Sequence, residues 1–335
     1  MTATTTKRDT PLRRLFTGQS DYDFIGRSRT WAIVSIVLVV VSLLGLAVRG
    51  INFSIDFTGG TAFVVTAASA EFDSADLRAA LGPLVEGDVT AQVVEDPTSG
   101  TGALVTTPAL DEVAGEQQGQ ILRRLAEVTG SEEAAIDVSA VGPRWGAQIS
   151  RQALSGLAVF LVLVLAYIAL RFELKMAIAA IITLLHDLAV TIGIYAVVGF
   201  EVSPASVIAL LTILGYSLYD TVVVFDRVTE DTRGLGMTST RTYGEVANGA
   251  LNSVLVRSLS TSITSLLPVG TLLFVGGGLL GADTLTDLAL ALFVGMAVGT
   301  YSSIFIATPI LVWLKEREPR NAELREKLHA RRGAS

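Results

Sequence analysis

The chain contains no cysteine and only two histidines, His186 and His329. The first absence excludes disulfides, thiolate nucleophiles and cysteine-ligated metals, and the second leaves too few imidazoles for a histidine-rich metal centre. Charge is also scarce: 17% of residues are Asp, Glu, Lys or Arg, against about 25% in ordinary soluble domains. The charge that remains sums to −7, the wrong sign for a surface that holds nucleic acid. No G-x-x-x-x-G-K-S/T loop is present, which argues against ATP hydrolysis.

What the sequence has in abundance is apolar residues, 50% of the chain with a mean hydropathy of +0.55. They are gathered into blocks long enough to cross a hydrocarbon layer of about 30 Å. Six blocks are expected to span: Trp31–Val48, Ala153–Leu170, Met176–Val198, Pro204–Val224, Leu251–Val275 and Leu285–Leu314. A cleaved signal peptide competes for the first, but a long polar stretch precedes it and no small-x-small site follows. Residues 1–30 carry Lys7, Arg8, Arg13, Arg14, Arg27 and Arg29, which by the positive-inside rule places this tail in the cytoplasm. Arg171 and Lys175, the Arg227–Arg241 loop and the tail 315–335 then fall on the same side. Both ends are therefore expected inside a plasma or inner membrane. The end segments Met1–Ser20 and Asn321–Ser335 read as flexible basic tails near anionic lipid.

Residues 50–150 are different, with fifteen carboxylates against four arginines. Periodicity gives strand-like Thr61–Thr66, helical Ser74–Leu84, strand-like Val89–Val94 and Ala103–Thr107 around the turn at 97–100, helical Leu110–Val128 and strand-like Ala134–Val141. That β-α-β-β-α-β order predicts a ferredoxin-like α+β domain outside the cytoplasm, between spans one and two. It has no nucleophile–base set, so binding or mechanics fits it better than chemistry. Asp56, Gly59 and Gly60 form its junction with the first span, where paired glycines suit a positive φ or a close backbone approach.

A charge at mid-bilayer costs at least about 2.5–3.5 kcal/mol, so each one calls for a partner or a function. Asp220 lies in the fourth span on one face with Tyr216 and Thr212; Arg257 lies in the fifth, followed by Thr261, Thr264, Ser265 and Pro268 on a polar stripe. Their depths match, so an Asp220–Arg257 pair is expected. Two roles fit it: a static ion pair that fixes packing, or a carboxylate balanced between desolvation and the arginine, able to take and release a proton. His186-Asp187 in the third span suggests a hydrogen-bonded pair supporting Asp220 or the helix interface, with a proton carrier or metal ligand as alternatives. Asp226 and Arg227 read as interfacial. Ala291, Gly295, Gly299 and Ser303 form a small-residue stripe for close helix packing, within the bundle or against a partner.

These motifs resemble the SecD/SecF family of protein-export membrane proteins. The resemblance is carried by Asp56-Phe57-Thr58-Gly59-Gly60, Val141-Gly142-Pro143, His186-Asp187 and Gly215-Tyr216-Ser217. It continues through Asp220-Thr221-Val222-Val223-Val224-Phe225-Asp226-Arg227, Arg257 with Thr261-Ser262, and Gly299 to Ala307. It implies a half-bundle of the resistance-nodulation-division transporter class, paired with SecD and assisting the SecYEG translocon. The implied role is coupling proton flow to late steps of polypeptide export, with the proton gradient as energy source and no cofactor. The family's intramembrane aspartate falls on Asp220 and its basic partner on Arg257. One departure is Leu218-Tyr219, where many relatives carry Ile-Asn, so a water chain held by that asparagine would need the Tyr219 hydroxyl instead. Competing readings are a passive translocon scaffold, a small-molecule or lipid exporter of the same superfamily, and, least supported, an intramembrane aspartyl protease using Asp187 and Asp220.

Overall fold

A computed structural model describes residues 21–65, 69–87, 89–96, 100–110, 115–236, 240–277 and 283–333. The sequence-expected turn around 97–99 and the tail Met1–Ser20 lie outside them. Six helices among the described residues are long and apolar enough to cross a membrane. In the first two, α1 (Ser28–Arg49) and α5 (Pro143–Arg171), few side chains are buried, and they flank the bundle. The more enclosed ones are α6 (Leu174–Val198), α7 (Pro204–Thr232) and the sixth span, built from α9 (Asp283–Ser302), a π-helical segment Ser303–Ala307 and α10 (Thr308–Lys315). The fifth, α8 (Tyr243–Thr271), runs into a second π-helical segment, Leu272–Gly277.

Between α1 and α5 stand β1 (Asn52–Phe53), the one-turn α2 (Ile55–Thr58), β2 (Gly60–Val65), α3 (Ser74–Leu81), β3 (Thr90–Asp96), β4 (Gly100–Thr107), α4 (Gly115–Thr129) and β5 (Ile136–Val141). The main sheet has the order β3-β4-β2-β5 with every neighbour antiparallel. That is the ferredoxin-like arrangement expected from the strand and helix order. Phe63, Leu77, Leu81, Val105, Ile121 and Leu125 are all at most 1% exposed and form its core. This domain faces water, so each such side chain contributes about 1.5–3 kcal/mol by leaving it.

The membrane bundle lacks that driving force, because lipid is as apolar as leucine, and it relies on close approach instead. A Cβ on Gly193 would fall 2.0 Å from Ser42 Cβ, and one on Gly295 would fall 2.3 Å from Ile213 Cδ1. These small residues set α1 against α6 and the sixth span against α7. The stripe Ala291–Gly295–Gly299–Ser303 is thus used inside the bundle, along α7.

Several boundaries differ from those read in the sequence. The fifth span starts at Tyr243, eight residues earlier than its apolar block at Leu251, because Thr242 and Glu245 form a capping box there. Its polar first turns anchor the chain ahead of the first span, since Asn248 and Asn252 bond the backbone of Tyr22, Phe24 and Ile25 at 2.8–3.2 Å. Residues 21–30, expected as tail, are thereby part of the fold. The expected flexible segment Asn321–Ser335 is instead largely a helix, α11 (Pro319–Gly333). It buries Leu324 and Leu328 and pairs Arg332 with Glu245 at 2.6 Å. The outer domain ends at Val141, and α5 continues from it into the membrane with Pro143 at its first turn, where the missing N–H costs nothing.

Candidate functional site

The fourth span places Asp220 among three helices, with 8% of its surface exposed. Ser258 Oγ on α8 donates to Asp220 Oδ2 at 2.7 Å, and Ser303 Oγ on the sixth span donates to the same oxygen at 2.5 Å. Ser303 opens the π-helical segment, where an extra residue in the turn changes the direction of side chains; such bulges recur at functional sites. Both hydroxyls converge on Oδ2.

A second carboxylate, Asp187 on α6, meets the same turn of α7. Asp187, 1% exposed, accepts from Ser217 Oγ at 2.5 Å through Oδ2 and meets His186 Nδ1 at 3.3 Å through Oδ1. Ser217 precedes Asp220 by three residues, so one turn of α7 carries contacts to both carboxylates. Above them, Tyr216 OH donates to Ser262 Oγ at 3.2 Å, and Thr300 Oγ1 lies 2.9 Å from it. Ser262 Oγ in turn donates to Ser258 O at 2.9 Å. The result is a lattice of hydroxyls that ties α7, α8 and the sixth span together around Asp220.

The expected Asp220–Arg257 pair is not formed. Arg257 is adjacent to Ser258 at the matching depth, but one helical residue is a rotation of about 100°. That rotation gives Ser258 to Asp220 and leaves Arg257 exposed on the outer face of α8. Thr261 and Thr264 share its fate, since their hydroxyls bond back to carbonyls of their own helix. Tyr216 does join the network, through Ser262, while Tyr219 is 55% exposed and lies outside the cradle. Asp226 and Arg227 sit at the end of the span in ion pairs, Asp226 with Arg171 at 2.9 Å and Arg227 with Glu230 at 2.9 Å and Asp231 at 3.2 Å. Ser217, Ser258, Ser262, Thr300 and Ser303 were missed by sequence reasoning. The i, i+4 repeat Ser258–Ser262 and the hydroxyl closing the glycine stripe at Ser303 were the available signals.

At the outer end, the junction residues serve a joint. Gly59 has φ 72° and Gly60 has φ 139°, and a Cβ on Gly60 would fall 2.4 Å from Thr107 O, so both need glycine. β1 pairs in parallel with β6 (Glu201–Val202), the turn between α6 and α7, in the register Asn52↔Glu201. Asp56 accepts a long bond of 3.4 Å from Ser54 Oγ in α2. Burial, then the nearby carboxylates of Asp287 and Asp56, push the Glu201 carboxyl up to about 7. The outer domain is thus fastened both to α5 and to the head of the helix that carries Asp220.

Comparison with known proteins gives a consistent picture. The family described as protein export membrane protein SecD/SecF, C-terminal, matches residues 121–317, and the SecD/SecF GG motif matches residues 44–71. The protein translocase subunit SecF of Streptomyces coelicolor is 43% identical over 95% of this chain and 83% of its own length. That of Rhodothermus marinus is 32% identical over 89% and 94% respectively. The crystal structure of SecDF from Thermus thermophilus, described as a translocon-associated membrane protein, superposes with a TM-score of 0.75 at 34% identity, covering 90% of this chain and 39% of that one. A SecDF structure in a super-membrane-facing form superposes at 0.62 with the same identity and 91% coverage of this chain.

Proposed function

Since the chain belongs to the SecD/SecF family of protein-export membrane proteins, we propose that it is an accessory subunit of the protein translocase that converts proton flow into outer-domain movement. It works from the cytoplasmic membrane with both termini inside. Its partners are a SecD half, the SecYEG translocon and the polypeptide in transit. The observation that carries the reading is the Asp220 cradle, a buried carboxylate held by hydroxyls from two neighbouring spans.

In the charged state, Asp220 draws Ser258 and Ser303 inward through charge-assisted hydrogen bonds, each worth about 1.5–3 kcal/mol. A proton on Asp220 removes the charge and weakens both bonds at once. The fourth span is then freer to shift against the fifth and sixth. Its outer end is paired through β6 with β1, so the shift reaches the base of the outer domain. One proton crossing 100 mV supplies about 2.3 kcal/mol, comparable to one of the bonds it loosens. Two solved SecDF structures fit this chain to different degrees at equal identity, which supports a family whose parts take more than one arrangement.

The exposed Arg257 supports a partner half. A guanidinium facing lipid is costly, and a second bundle packed on this face of α8 would cover it and complete a proton path with Asp220. The test is late-stage translocation into inverted vesicles containing the full translocase, with and without an imposed proton gradient. Asp220→Asn is expected to lose the stimulation by the gradient while still assembling with SecD. An equal response of variant and wild type would overturn the proton role and favour a passive scaffold.

A further inference from the structure

A notch of about 450 Å³ lies between α1, α6 and the sixth span, apart from the Asp220 cradle and lined almost wholly by carbon. Its rim consists of Ile36, Val40, Ile182 and Leu185, which are 61%, 47%, 43% and 56% exposed, so it opens sideways toward the lipid. Along α1 it runs from Ser28, at the membrane surface that carries both termini, to Val40. That is twelve residues or about 18 Å, little more than half the hydrocarbon thickness of about 30 Å. Beyond Val40 the helices close: Ser42 packs under Gly193 and Gly45 against Val197, and Arg49 donates to Val197 O.

We propose that this notch holds one acyl chain of an anionic phospholipid. Its length is that of a single leaflet, whereas a partner helix would need a groove running the full membrane depth. At the open end Ser28 is flanked by Arg27 and Arg29, both exposed, which complement an anionic phosphate at headgroup level. The inner wall of the notch includes His186, whose side chain is 7% exposed and whose Nε2 is buried with no hydrogen-bond partner. A chain seated there keeps water from entering sideways to the His186–Asp187 pair.

Trp31 reports on the site, because its ring packs 4.1 Å from Phe305, a residue of the notch wall. The full chain carrying Trp145→Phe and Trp313→Phe would be reconstituted in phosphatidylcholine vesicles. Brominated phosphatidylglycerol or brominated phosphatidylcholine is then added and Trp31 fluorescence followed. Brominated phosphatidylglycerol is expected to quench saturably, with half-effect at a several-fold lower mole fraction than brominated phosphatidylcholine. Arg27→Gln with Arg29→Gln should remove the preference, and Ala189→Phe, which fills the notch, should remove the saturable component. Quenching by both lipids that is equal and linear in mole fraction would mean ordinary boundary lipid and overturn the proposal. So would saturable quenching unaffected by Ala189→Phe. Absence of quenching by either lipid would overturn it as well.

Discussion

At the scale of single residues, the chemistry turns on which neighbour of Arg257 faces inward. Asp220 is served by two serines, and a hydroxyl can hold a carboxylate without neutralising it. The bonds from Ser258 and Ser303 therefore depend on the charge of that carboxylate, which is what the proposed mechanism uses. Ser303→Ala removes one donor from a buried carboxylate, a loss of about 1.5–3 kcal/mol and hence roughly tenfold or more in the equilibrium it supports. Gradient-driven translocation by this variant is expected to fall by about that factor. Ser303→Thr keeps the hydroxyl and is expected to retain most of the activity. A fall of equal size in both variants would attribute the effect to packing in the π-helical segment.

At the scale of elements, the junction of β1 with β6 is where a shift in the bundle meets the outer domain. The Glu201 carboxyl there lies at about 7, raised by burial and by Asp287 and Asp56. The folded joint thus binds a proton more tightly than the unfolded chain does. Its contribution to stability is fully present below the ordinary value of 4.5 and is lost as pH rises through about 7. Amide exchange at Asn52 and Phe53, corrected for intrinsic rate, is expected to be slower at about pH 5.5 than at about pH 8. In Glu201→Gln the difference should vanish, and a persisting difference would locate the titration elsewhere. The sixth span is built on the same economy of contact, with Gly295 and Gly299 bringing it close enough to α7 for Ser303 to reach Asp220.

At the scale of the whole molecule, the side of the membrane carrying the termini has a docked helix of its own. α11 lies over the ends of the spans with Leu324 at 3% and Leu328 at 5% exposure, and it is pinned by Arg332–Glu245 and Arg325–Glu316. Leu324→Ala is expected to weaken this docking by about 2–5 kcal/mol, as for a buried leucine in water-exposed structure. Limited proteolysis with a trypsin-like enzyme should then cut among Arg320, Arg325 and Lys327 many-fold faster than in wild type. Unchanged cleavage would show that the helix is held by its ion pairs alone. At the flanks of the bundle, α1 and α5 have few buried residues, and their exposed sides are left to lipid or partner.

The sequence alone determined the six spans and the β-α-β-β-α-β order, because block length and period follow directly from the bilayer and from backbone geometry. It also determined the need for glycine at Gly59 and Gly60, whose backbone angles other residues rarely adopt. It identified Asp220 and His186-Asp187 as residues out of place in lipid. Only the tertiary structure decided their partners. Matching depth put Arg257 and Ser258 equally near Asp220, and helix rotation, set by side-chain packing of three spans, chose the serine. The ends of the chain were decided there too. The polar turns of Tyr243–Asn252 and the charged helix Pro319–Gly333 carry weak apolar signals, and their order comes from bonds to Tyr22, Phe24 and Glu245, distant in the chain and adjacent only after folding.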